Sequence, residues 1–524
     1  MNSFSIELVD NLSYKWMKTD KIYTRGFAFF KGKLYENEAF LGLFQGITTE
    51  ADLLNIIENL DGFFNVIVIN EARCYVFVDQ IRSMPIILDK SDQECVVIRD
   101  DLGQLVHGLT ISTEELSAFR HALFTQGNNT LFENVSQLGA GEYAVINEKT
   151  IEFHSYFSYK YNSVREKKID VAVEQLNQEY IEVMERTKKV LNGRTVVIPL
   201  SGGHDSRLLL YYLYNAGYRD IVAYSYGLEN NSESKISERV AEFFGIPYYF
   251  IPYKKRNMRK LFTQSFQPFS LFAFQGTSVP CLQEWYAVYY LKTNALIPDD
   301  AVFMPGYTGD FMAGAHLNKN WRQKSDLTRG ELVEYVFERY YAEYDYRYPY
   351  AKEYIFECIN KQLIPFNDKD NYTQDEANEC AERFDYYNRQ AKFIENALRV
   401  YDYFGYKWVT PYFYKTQFEI WSRVDNSIRY GRMCFFELEK KIYPKDLANI
   451  EFYVGTNLNG FIKRNIARIR LFTRGPRYLH FMYGYYNLGF IYVIDLLKKR
   501  IRNIDVYAKD ELLRVIQQKQ RVAL

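Results

Sequence analysis

The sequence predicts two differently built halves: an α+β N-terminal half rich in strands, then an α/β half around a parallel sheet that ends in a helical region. Three observations lead there. At 524 residues the chain exceeds what one ordinary core accommodates. Residues 1 to 155 carry short apolar runs divided by polar turns. Beyond 165, strand-like and helix-like segments alternate at the spacing of crossover helices on a parallel sheet.

In the first half, Gly62–Asn70 and Cys74–Val78 are apolar strands joined by the polar turn Asn70-Glu71-Ala72-Arg73, with further strands at Val96–Ile98 and Tyr143–Ile146. Helices are expected at Thr49–Glu58 and Thr113–Thr125. The polar, tyrosine-rich stretch Tyr156–Arg165 is the expected join, giving domains 1–160 and 166–524. Lys168–Leu191 then reads as a long amphipathic helix, Thr195–Leu200 as a buried strand, and Ser206–Ala216 as a helix stopped by Gly217. Ile221–Tyr226, Ser232–Phe244 and Tyr248–Ile251 continue as strand, helix and strand. From 328 onward the pattern is mostly helical, including one helix expected from Gln374 to Tyr403.

Composition narrows the function. The 65 basic and 65 acidic residues balance, against the basic excess of a nucleic-acid binder. The six cysteines are scattered without a C-x-x-C pair, so neither a zinc site nor a disulfide framework is suggested and a cytoplasmic setting is expected. The segment Tyr478–Leu497 contains His480, Asn487 and Asp495, too polar for a spanning helix. Basic residues flank it, leaving a peripheral membrane contact open. A homodimer is also compatible with the sequence. Tyr and Phe are abundant, 47 and 39, so the interior needs many partners for phenol hydroxyls.

The most informative residues are Ser201-Gly202-Gly203-His204-Asp205-Ser206, between an apolar strand and a helix. Exposed backbone N–H groups and the positive end of a helix favour a phosphate there. Gly202 and Gly203 permit close backbone approach, and Ser201 and Ser206 offer hydroxyl donors. Asp205 would repel phosphate unless Mg²⁺ intervened. The Walker pattern G-x-x-x-x-G-K-[ST] is absent.

This loop resembles the S-G-G-x-D-S loop of the ATP pyrophosphatases (PP-loop enzymes), which cleave ATP between the α and β phosphates. The N-terminal half is similar to class II glutamine amidotransferase domains, whose LxGxF strand and D-R-x-G-x-x-P turn correspond to Leu60-Asp61-Gly62-Phe63-Phe64 and Asp79-Gln80-Ile81-Arg82-Ser83-Met84-Pro85. Leu138-Gly139-Ala140-Gly141-Glu142-Tyr143 is similar to that family's closing P-x-G strand. The combined resemblance is to the asparagine synthetase-like enzymes. It implies an Ntn-type β-sandwich followed by a PP-loop synthetase domain, with ATP and Mg²⁺ as cofactors. Those glutaminases use an N-terminal cysteine through its own α-amine. Here the chain reads Met1-Asn2-Ser3 and the first cysteine is Cys74, so the domain is expected to be a relic that takes no ammonia from glutamine.

Ala301-Val-Phe-Met-Pro-Gly-Tyr-Thr-Gly-Asp310 matches the family loop that supplies a second magnesium carboxylate, which makes Asp205 and Asp310 the implied metal ligands. Tyr307 makes the pattern G-Y-x-x-D, closest to the β-lactam and carbapenam synthetases, where a tyrosine works with a glutamate on the attacking amine. Counting back from Pro411, Glu395 falls at the glutamate's place, and Tyr307 with Glu395 is the implied catalytic pair. The strand ends at Leu200, Tyr226 and Gly306 are implied adenosine contacts, and His204 is expected to be non-catalytic. Arg207 stands where the family has a second serine and is a candidate to face phosphate. The family's pyrophosphate lysine, eight residues after a proline, corresponds to Phe452, with Lys445 and Lys463 as candidate substitutes.

Three readings follow: an AMP-forming amide ligase joining a carboxylate of a small molecule or peptide to an amine without glutamine; an amidotransferase using free ammonia or a separate glutaminase; and a non-catalytic protein that binds nucleotide or a partner. Tyr307 in place of a glutamate favours the first, and the absent lysine favours the last.

Overall fold

The computed structural model describes residues 4–452, apart from 10–12, 72, 92–94, 120, 123, 149, 228, 230, 254–267, 270, 282, 325 and 342–351. The basic stretch around Tyr478–Leu497 and Lys463 lie outside the described residues.

The fold is mixed α/β, with two mainly antiparallel sheets in the first half and a parallel sheet with many helices in the second. The expected strands all form. Leu60–Asn70 and Arg73–Val78 pair antiparallel across the turn at Asn70–Arg73, inside a seven-stranded sheet. A four-stranded sheet contains Phe4–Glu7, Ile87–Asp89, Val96–Arg99 and Val135–Gln137. Side chains of both sheets, among them Ile67, Val76, Ile146, Leu88 and Ile98, share one buried apolar layer. On its other face the larger sheet carries the helices Asn37–Gly42 and Glu50–Ile57. Gly62 is dictated by this packing: a Cβ there would lie 2.3 Å from the Phe27 carbonyl oxygen on the neighbouring strand. The helix at Thr113 ends at Phe119, shorter than its pattern suggested.

Asp79, in the turn after Arg73–Val78, accepts backbone N–H groups from Phe64, Ile81 and Ser83 at 3.0–3.1 Å. It therefore acts as the buried brace of the Asp79–Pro85 turn, where Arg82 takes φ +60°.

In the second half, Val196–Pro199 forms the centre of a five-stranded parallel sheet. On one side lie Ile221–Gly227 and then Tyr248–Pro252; on the other lie Val302–Phe303 and then Lys407–Trp408. The central strand is buried because helices cover both faces, hence its continuous apolar run. The helix Ile169–Leu191 lays Leu176, Tyr180, Val183, Met184 and Leu191 on this core. The helix Ser232–Phe244 starts at the Asn231 cap and stops at Gly245, φ +64°.

The helix expected from Gln374 to Tyr403 is a correction. It is α-helical over Gln374–Asp385, π-helical over Tyr386–Ile394, a tight turn over Glu395–Leu398, and α-helical again over Arg399–Phe404. A π segment inserts residues relative to the α repeat, so every later side chain rotates away from the face that regular counting assigns to it.

Candidate active site

The strand order turns at the centre of the parallel sheet. From Val196–Pro199 the chain first builds outward on one side, then returns to add Val302–Phe303 on the other. Loops leaving the carboxyl ends of those two strands diverge, and the crevice between them is the standard ligand position of such sheets. Here they are Ser201–Ser206 and Gly306–Asp310.

The two loops touch. A Cβ on Gly306 would sit 2.7 Å from the Ser206 nitrogen, and one on Gly309 would sit 2.9 Å from Cγ of Asp205. Only glycine permits this approach. Asp310 donates its backbone N–H to Oδ2 of Asp205 at 3.2 Å. Oδ1 of Asp205 is enclosed without a partner. Burial, and then the neighbouring Asp310 carboxylate, push the Asp205 carboxyl well above its usual range; Arg432 opposes the shift. Two carboxylates held together, one with an orphaned oxygen, form a donor set that suits Mg²⁺ completed by phosphate oxygens and water. Among the described residues no group of three or more His, Cys, Asp or Glu gathers into a metal cage.

The phosphate loop is tied to itself. Ser201 N–H donates to Oγ of Ser206 at 3.2 Å, Gly203 N–H donates to Oγ of Ser201 at 3.3 Å, and the two hydroxyls lie 3.2 Å apart. Gly202 N–H is bonded by the carboxylate of Glu233, a group that burial pushes upward in pKa. One amide of the loop thus already has a protein acceptor. Leu200 is buried below, its carbonyl taken by the Ser237 hydroxyl at 2.8 Å. Tyr226 stacks on Tyr253, centroids 5.1 Å apart and 14° from parallel, forming an aromatic wall at the end of its strand.

Tyr307 finds a carboxylate, but a different one from that expected. Its hydroxyl donates to Oε2 of Glu284 at 2.9 Å. Tyr401 donates to the same oxygen at 2.9 Å, and the Tyr224 hydroxyl donates to Oε1. Glu284 is 4% exposed and stands at the residue before the helix Trp285–Thr293, its side chain making no capping bond to that helix. Burial raises its pKa, and the three phenol hydroxyls hold it down. Burial and then Glu284 raise Tyr307, so its resting form is the neutral phenol. Glu395 does not make this pair. It is 1% exposed, and neither carboxylate oxygen has a hydrogen-bond partner. Its pKa is raised by burial and then by Asp79, against Arg399. Spacing from Pro411 fixes the place of Glu395 along the chain but not its surroundings: it opens the tight turn Glu395–Leu398, enclosed with Asp79 and Arg399 as its charged neighbours. Glu284 left little signal in the sequence, because it sits outside the loop motifs.

Arg207 also departs from its expected place. Its guanidinium donates to the carbonyls of Ile450 and Glu451 at 2.9 Å and lies 3.9 Å from the Phe452 ring centre. It clamps the chain at 450–452 and does not face the phosphate loop. The other side of that ring stacks on His204, which is held through Nδ1 to Oε2 of Glu439 at 2.7 Å. Lys445 is exposed at the start of the short helix Lys445–Ala448.

No protein-family model matches the chain, and no curated protein sequence matches it. Among solved structures, it is similar to an NH3-dependent NAD synthetase from Campylobacter jejuni, at 15% identity and a TM-score of 0.21, over 39% of this chain and 89% of that one. It is also similar to an allosteric regulatory enzyme of purine biosynthesis (12% identity, TM-score 0.18, 46% of this chain and 63% of that one). A third likeness is to the glutamine phosphoribosylpyrophosphate amidotransferase from B. subtilis, at 12% identity and a TM-score of 0.18, over 57% of this chain and 64% of that one. With scores this low, the functional reading rests on the residues of the site.

Proposed function

We propose that the chain is an ATP-dependent ligase that forms AMP and pyrophosphate, activates a carboxylate as its adenylate, and joins it to an amine without using glutamine. The observation that carries this reading is the closure of Asp310 on Asp205 at the point where the strand order reverses, with Oδ1 of Asp205 left unpartnered.

Asp205 and Asp310 would hold Mg²⁺, which supplies charge neutralisation on the phosphate oxygens. The Ser201–Ser206 loop then binds phosphate through its amides and hydroxyls, with Tyr226, Leu200 and Gly306 bordering the nucleotide. Substrate carboxylate oxygen attacks the α-phosphorus, the bond to the bridging β-oxygen breaks, and pyrophosphate leaves with that electron pair. The amine then attacks the acyl carbon and AMP leaves. As the amine attacks, it gives a proton to the Tyr307 oxygen while the Tyr307 proton passes to Glu284. A carboxylate with a raised pKa is a fitting acceptor for that relay, whereas a neutral phenol alone is too weak a base.

Magnesium-dependent ATP binding, measured by calorimetry on wild type and Asp205→Ala, tests the reading. Binding that the substitution abolishes supports a working phosphate site. Absence of binding in the wild type would sink the ligase assignment. The amidotransferase alternative uses the same activation step with free ammonia as the amine, and product analysis with ammonium as the sole nitrogen donor separates the two. The stack of Phe452 on His204 favours the non-catalytic reading, since an apolar ring occupies the lysine's place.

A further inference from the structure

A leaving pyrophosphate needs a cation, and position 452 provides a ring. The arginines bordering the loop region are mostly committed elsewhere. Arg207 is bonded to the carbonyls of Ile450 and Glu451, and Arg429 to Glu382 and the Met312 carbonyl. Arg432 differs. Among the described residues its guanidinium makes no ion pair and no hydrogen bond. It lies 4.7 Å from the centre of the Phe436 ring. That ring is 4.9 Å from the imidazole of His204, the loop residue beside Asp205.

The backbone is bent to put it there. Gly431 and Arg432 take φ +68° and +62° in succession, just before the helix Met433–Ile442. Glycine adopts this freely, whereas the Cβ of arginine makes it unfavourable. Without that turn the helix would start earlier and the side chain would leave in another direction.

Building on the ligase reading, we propose that Arg432 is the pyrophosphate-binding cation of this chain and takes over the role of the lysine missing at Phe452. Its planar fork donates to oxygens of the β and γ phosphates in ATP, and to the same oxygens as the bond to the α-phosphorus breaks. The ring of Phe436 supports the guanidinium from one face and leaves its edge for the ligand.

The test is calorimetric titration of inorganic pyrophosphate with Mg²⁺, and separately of AMP, into the full chain. Arg432→Gly is the principal variant, because glycine keeps the left-handed backbone; Arg432→Lys and Lys445→Ala accompany it. Expected is a loss of tenfold or more in pyrophosphate affinity for Arg432→Gly, partial recovery in Arg432→Lys, and AMP binding within twofold of wild type. Lys445→Ala should bind pyrophosphate normally. Equal pyrophosphate affinity in Arg432→Gly and wild type would overturn the assignment of Arg432 while leaving the ligase reading standing. A wild type that binds neither ATP nor pyrophosphate would overturn both.

Discussion

The hydroxyl of Tyr307 donates to Oε2 of Glu284 across 2.9 Å, and the same carboxylate gathers the hydroxyls of Tyr401 and Tyr224. Three phenol donors fix the position of that carboxylate. Burial raises its pKa, which makes it a better proton acceptor than an ordinary carboxylate.

Glu284→Gln should therefore separate the two half-reactions. Carboxylate-dependent pyrophosphate release should continue, while amide formation drops by about 10²–10⁴-fold, the usual weight of general acid–base catalysis. Tyr307→Phe should behave alike. Equal loss in both half-reactions would show that Glu284 only supports the fold.

Glu395 should matter for stability and not for the amine step. Its folded pKa is raised by burial. A raised carboxylate contributes its full stability below its unfolded pKa and loses it as pH rises through the folded value. Glu395→Gln should thus be more stable than wild type at pH 7, by about 1–3 kcal/mol, with the gain vanishing below about pH 4. Thermal melts across that range check it, and a neutral or destabilising effect at pH 7 would contradict the account.

Gly306→Ala should disable the site with the fold kept. The added methyl meets the Ser206 backbone at 2.7–2.9 Å, and neither partner is a flexible side-chain end. The loops must part, and ATP affinity should fall at least tenfold. The stability loss should be in the ordinary overpacking range of about 1–3 kcal/mol.

Glu233→Gln should strengthen nucleotide binding. The Glu233 carboxylate bonds the Gly202 amide, one of the groups a phosphate would use. Removing its charge takes away the repulsion and leaves only a weaker, neutral acceptor on that amide, and ATP affinity should rise about two- to fivefold, equivalent to ~0.5–1 kcal/mol. Unchanged affinity would mean that Gly202 does not face the phosphates.

Local signals made much of this protein legible in its sequence. Strand and helix periodicity, the Asn231 cap and the Gly245 stop act over a few residues, so Ser232–Phe244 could be bounded without a fold. Ser201–Ser206, Tyr307 and Asp310 could be singled out because a glycine loop between strand and helix carries its chemistry in adjacent residues. What only the tertiary structure decided are the partners. Tyr307 meets Glu284 and not Glu395, because Glu284 arrives on a separate helix start while Glu395 is enclosed beside Asp79 and Arg399. Arg207 turns to Ile450 and Glu451, and Arg432 turns to Phe436, through contacts between segments distant in sequence. Such contacts depend on packing and register summed over the whole core. No short stretch of residues encodes them.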